Sequence, residues 1–118
     1  MYLLNFFIFL NCLCFVGNKG KLQFNLGNYS TKAEVLAAVD GLGYLGENTN
    51  TTGGLKVARL EVFGDKYRRR RNVEQIIILI TDGVPTYDAD LLDDEVAAVK
   101  RKGIRIVGLG VTDRVSRL

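Results

Sequence analysis

Apolar residues fall along this chain in three patterns, and each predicts a different kind of element. The first is an almost unbroken apolar run from Met1 to Val16, in which Asn5 and Asn11 are the only strongly polar side chains. The second is helical spacing: Val35, Leu36 and Val39 follow Thr31-Lys32-Ala33-Glu34, a capping-box pattern in which Thr31 caps the helix and Glu34 reaches back. Leu55, Ala58 and Val62 predict a second helix that opens near Thr51 or Thr52 and gives out around Gly64. Leu92, Val96 and Val99 predict a third, from about Asp90 to Lys102. The third pattern is continuous: Ile76-Ile77-Ile78-Leu79-Ile80 reads as a buried strand covered on both faces, Ile104 to Val111 as another largely buried strand, and Gln23 to Leu26 as a shorter strand. Strand and helix segments in this alternation predict an α/β fold, a doubly wound, mostly parallel sheet flanked by helices.

Residues 1–17 and 18–118 therefore form two regions. The first is short for a membrane span, which needs about 20 apolar residues. Three readings fit it: a signal-like or anchor segment, although a positive n-region is absent, a buried strand, or a mispredicted start of the reading frame. With 118 residues, the chain is one domain or part of one and is short for a complete doubly wound sheet. A net charge of +3, much of it from Arg68-Arg69-Arg70-Arg71, does not form the spread basic stripe of a nucleic-acid binder. That run reads first as a solvated loop, with polyanion binding or basic processing as alternatives. Cys12 and Cys14 are too close in sequence to bridge readily and form no zinc motif. The chain contains no His, which excludes Ser-His and Cys-His nucleophile pairs. Acidic residues in the first turns of the third helix and Lys100, Arg101 and Lys102 in its last follow the order the helix dipole favours; the rival reading is a cation site.

Two places carry candidate chemistry. Thr81-Asp82-Gly83 ends the Ile76 strand at the crevice where open α/β sheets bind ligands, so Asp82 is either a metal or ligand carboxylate or a turn cap. The hydroxyl-rich loop from Gly46 to Thr52 leads directly into a helix and supplies neutral oxygens suited to a hard cation, or else a plain N-cap.

Phe24-Asn25-Leu26, Tyr29-Ser30-Thr31-Lys32, Tyr44 to Thr51 and Ile78-Leu79-Ile80-Thr81-Asp82-Gly83 together resemble the von Willebrand factor type A domain, in particular its collagen- and matrilin-like extracellular members. The resemblance covers roughly residues 18–113 and implies an incomplete copy of that fold, truncated at both ends. It implies a metal-ion-dependent adhesion site for Mg²⁺ or Mn²⁺, with Thr49 and Asp82 at the positions of the family's metal-binding Thr and Asp. The family's Asp-x-Ser-x-Ser motif occurs nowhere in this chain, so the resemblance implies a weak or absent metal site here. The implied function is a secreted, non-enzymatic adhesion module whose partners are matrix or cell-surface proteins presenting Asp or Glu. Nucleic acid and small-molecule substrates are not implied, and a membrane is implied only if residues 2–16 act as an anchor. A small α/β enzyme using Asp82 and a structural remnant without metal are the alternatives; the enzyme lacks His, a phosphate-cradling loop and a second carboxylate. Two sequons, Asn28-Tyr29-Ser30 and Asn50-Thr51-Thr52, accord with export, and Asn28 is the expected site of modification.

Overall fold

The computed structural model describes residues 2–5, 12–16, 19–25, 27–42, 50–64, 72–81 and 88–110. Five strands form one sheet: β1 (Tyr2–Asn5), β2 (Cys12–Val16), β3 (Gly20–Phe24), β4 (Gln75–Thr81) and β5 (Ile104–Gly110). Their spatial order is β3-β2-β1-β4-β5. The helices are α1 (Lys32–Asp40), α2 (Thr51–Val57) and α3 (Leu92–Arg101), with a π-helical turn at Ala58–Val62 and a 3-10 turn at Ala89–Leu91. The α/β architecture read from the sequence is therefore present. Parallel pairing among the described strands is confined to β4 and β5, which run in register from Gln75 opposite Ile104 to Thr81 opposite Gly110. The β1–β2, β2–β3 and β1–β4 pairs are antiparallel. The links between the first three strands explain two of these, since a parallel connection takes a dozen residues or more and fewer than that separate β1 from β2 and β2 from β3.

The core lies on one face of the sheet. Leu55, Ala58, Val62 and Phe63 from α2 and its π turn meet Ile77 and Leu79 of β4, Val99 of α3 and Ile104 of β5. In the π turn the Phe63 N–H reaches back five residues to the Ala58 carbonyl, 2.9 Å, and this brings both Val62 and Phe63 into the core. A smaller cluster joins α1 to β3: Val35, Ala38, Val39 and Leu42 pack with Phe24 and Tyr29, whose rings meet edge to face at 5.2 Å.

Four expectations need correction. Leu36 does not belong to the inward stripe of α1, and is 52% exposed. The stripe is 35, 38, 39 and 42, which follows the 3.6-residue period, and Leu36 lies about 100° away from Val35. The Ile76 strand is central yet not fully covered on both faces: Ile77 and Leu79 are buried, while Ile76, Ile78 and Ile80 are half-buried. Strand β5 is an edge strand of the described sheet rather than a largely buried one, with Val107 and Leu109 exposed opposite Ile78 and Ile80. The reason is common to both strands. Their buried residues share one cluster with α2 and α3, and side chains of opposite parity point the other way. The short strand expected at Gln23 to Leu26 instead begins at Gly20, because pairing with β2 extends to Val16 opposite Gly20.

The capping box forms as the sequence predicts. The Thr31 hydroxyl accepts from the Glu34 N–H, and Glu34 Oε2 accepts from the N–H groups of Thr31 and Ser30 at 3.0 and 2.8 Å. These donors hold the Glu34 carboxyl below its ordinary value; the Ser30 N–H contributes most, then the Thr31 N–H and hydroxyl.

Candidate functional site at the carboxyl end of β4

Strand registers fix which end of the sheet meets which loops. Across the sheet, Lys21 stands opposite Phe15, Phe15 opposite Tyr2, Tyr2 opposite Ile80, and Ile80 opposite Leu109. The carboxyl ends of β4 and β5 therefore lie at the same edge of the sheet as the start of β3. Gly20, at that start, approaches the first turn of α2 so closely that a Cβ there would strike the Gly53 carbonyl. The amino end of α2 thus sits beside β3, at the same edge of the sheet as the carboxyl end of β4.

That end of α2 is built from buried polar groups. Asn50 is its N-cap, with Oδ1 accepting from the Gly53 N–H at 2.6 Å. Asn50, Thr51 and Thr52 are all buried. The Thr52 hydroxyl donates to the Asp88 carbonyl at 2.8 Å, which ties α2 to the segment that enters the 3-10 turn and α3. Asp88 adopts a left-handed backbone, φ 50° and ψ 33°, a conformation Asp tolerates better than most residues. A groove of about 270 Å³ runs beside α2, lined in part by Lys19, Gly20, Asn50, Gly53, Lys56 and Glu61, and so carries two ammonium groups and one carboxylate.

Both residues expected to hold a metal, Thr49 and Asp82, lie outside the described residues, as do the rest of the hydroxyl-rich loop before Asn50 and Arg68 to Arg71. Their neighbours along the chain, Asn50 next to Thr49 and Thr81 next to Asp82, lie at the same edge of the sheet. Among the described residues, no three of Asp, Glu, Cys or His gather to hold a metal ion. One hydroxyl and one carboxylate, which is what Thr49 and Asp82 would supply, fall well short of the oxygen set an octahedral Mg²⁺ takes.

Sequence reading missed Gly20, Asp88 and the cap role of Asn50. A signal was present for the first: Gly53-Gly54 inside a helix start is costly for the helix and marks a close backbone approach. None existed for Asp88, whose part is played by a main-chain carbonyl. In the third helix the acidic residues divide. Asp93 and Asp94 are exposed in the first turn, whereas Glu95 takes Arg59 in a two-pronged pair, 2.6 and 3.1 Å. That pair raises the Arg59 pKa, chiefly through the hydrogen bond to Glu95.

A sheet with α2 and α3 on one face, and the start of α2 at the same edge as the carboxyl ends of its parallel strands, is the frame of a ligand-binding α/β domain rather than of a helical or all-β module. The family model for the von Willebrand factor type A domain matches residues 13–117. This chain belongs to that family. Human collagen alpha-5(VI) chain is 34% identical over 92 residues, covering 76% of this chain and 3% of that one. Chicken matrilin-1 is 33% identical over 94 residues, covering 77% of this chain and 18% of matrilin-1. Among solved structures, proximal thread matrix protein 1 from the mussel byssus, with a zinc-occupied adhesion-site motif, superposes with a TM-score of 0.72 at 30% identity. That match covers 86% of this chain and 24% of that one. The chain thus spans less than a fifth of these two relatives and about a quarter of the solved structure.

Proposed function

We propose that this chain is a non-enzymatic protein-binding module of extracellular matrix type, which engages its partner at the carboxyl end of β4. The observation that carries the reading is that the capped start of α2, held by Gly20 against Gly53 and tied by Thr52 to Asp88, lies at the same edge of the sheet as the end of β4. Thr49 and Asp82 are the residues assigned to the metal, each one position along the chain from a residue of this edge. Lys19 and Lys56 outnumber Glu61 in the adjoining groove, and this net positive lining favours a partner that presents Asp or Glu. The kinship with matrix proteins supports an extracellular setting, and no helix among the described residues is long and apolar enough to cross a membrane. Zinc in the mussel protein supports a divalent cation in complete domains of this kind.

Calorimetry tests the metal part. The chain as it stands binds Mg²⁺ or Mn²⁺ no more tightly than millimolar order, outside the range of carboxylate-rich sites, and shows no metal-dependent adhesion. Grafting an upstream strand that ends in Asp-x-Ser-x-Ser creates cation-dependent binding to matrix proteins, and Asp82→Ala or Thr49→Ala then abolishes it. Tight Mg²⁺ binding by the unaltered chain that survives Asp82→Ala overturns the assignment.

A further inference from the structure

The two sequons occupy opposite environments, and from this we infer that Asn28 is a site of N-linked glycosylation in the folded protein while Asn50 is excluded from it. Asn28 is exposed in the turn between β3 and α1. Its Oδ1 accepts from the Asn25 N–H at 2.7 Å, and its own N–H donates to the Asn25 carbonyl at 3.2 Å. The turn thereby uses the oxygen branch of the side-chain amide, and the nitrogen branch diverges from it. Glycosylation leaves the carbonyl oxygen intact, so a sugar on Nδ2 is compatible with this turn. Tyr29 is not proline, and Ser30 supplies an exposed hydroxyl position.

Asn50 presents the reverse case. Only 4% of its surface is exposed, its Oδ1 caps α2, and its side-chain atoms stand so near Gly53 that a Cβ there would come within 2.9 Å of them. A saccharide on Nδ2 has no room unless the start of α2 leaves its place against Gly20. Chains modified at Asn50 before folding therefore fail to dock α2.

The reaction joins Asn28 Nδ2 to the anomeric carbon of a lipid-pyrophosphate-linked oligosaccharide. A C–N bond forms, the anomeric C–O bond breaks, the lipid pyrophosphate leaves with the electron pair, and the amide proton passes to a base of the transferase. The inference rests on the extracellular reading above. A cleavable secretion leader placed ahead of the full chain forces export, so the result bears on the asparagines and not on the natural destination.

Secreted, folded protein from a eukaryotic host is treated with peptide N-glycosidase in ¹⁸O water and mapped by mass spectrometry. The expected result is label at Asn28 and none at Asn50. Ser30→Ala, which leaves Asn28 in place, removes the glycan, whereas Asn50→Asp, which keeps a capping oxygen, leaves the glycan mass unchanged. A secreted folded chain glycosylated at Asn50, or one bare at Asn28, overturns the inference.

Discussion

At the scale of single residues, Gly20 and Thr31 set local geometry, one by its missing Cβ and the other by its hydroxyl. Gly20 has no room for a methyl group, because the Gly53 carbonyl occupies the space where a Cβ would go. Gly20→Ala should destabilise the fold by about 1–3 kcal/mol, the usual cost of overpacking, read as a lowered denaturation midpoint at unchanged m-value. An unchanged midpoint would mean that β3 and α2 do not touch. Thr31 acts on α1. Thr31→Ala should cost about 1 kcal/mol through loss of the cap. Glu34 adds a pH dependence with a defined sign. Its folded pKa lies below the ordinary value of 4.5, so its contribution is complete above pH 4.5 and is lost as pH falls through the lower, folded value. Glu34→Gln should flatten that acid limb, which amide exchange at α1, followed as the pH falls below the ordinary value of 4.5, measures directly.

At the scale of elements, α2 and α3 are joined by more than apolar contact. Arg59, in the π turn that continues α2, and Glu95 of α3 are 22% and 11% exposed at their side chains and make two hydrogen bonds. The Lys102 ammonium donates to the Arg59 carbonyl at 3.1 Å, so the far end of α3 holds the same turn. A charged pair with this little exposure resists screening, unlike Arg105 with Glu74, which lies largely in solvent. A double-mutant cycle on Arg59→Ala and Glu95→Ala should give a coupling of about 1–2 kcal/mol, whereas the same cycle on Arg105 and Glu74 should give less than about 1 kcal/mol. Equal couplings at both sites would remove the pair from the account of how α3 is held. Because α3 leads into β5 and follows the segment that reaches Asp88, loosening it should also weaken the carboxyl end of β4.

At the scale of the whole molecule, the sheet is asymmetric. One face is sealed by α2 and α3, and the other shows half-buried Ile76, Ile78 and Ile80 beside exposed Val107 and Leu109. An apolar strip beside the edge strand β5 favours self-association, and the net charge of +3 opposes it only weakly. Sedimentation velocity should therefore show concentration-dependent association, reduced by Val107→Thr with Leu109→Thr and little altered by Leu36→Thr on the opposite element α1. A monomer at all concentrations would show that this strip is already satisfied within the chain.

Local signals alone settled much of this protein. The capping box at Thr31 and Glu34, the helical stripe at Leu55, Ala58 and Val62, the charge order of α3 and the continuous strand at Ile76 to Ile80 were legible because each depends on residues within a few positions of one another. Family membership was equally legible, since it rests on short motifs. What the chain could not declare is whatever depends on residues brought from far away. That includes the antiparallel placing of β1 beside β4, the one-sided burial of β4 and β5, the fit of Gly20 against Gly53, and the Thr52 bond to Asp88, 36 positions on. The fate of the two sequons is the plainest case. Asn28 and Asn50 satisfy the same three-residue rule, and only packing exposes one and seats the other at the start of α2, where its carbonyl oxygen is already bound to Gly53.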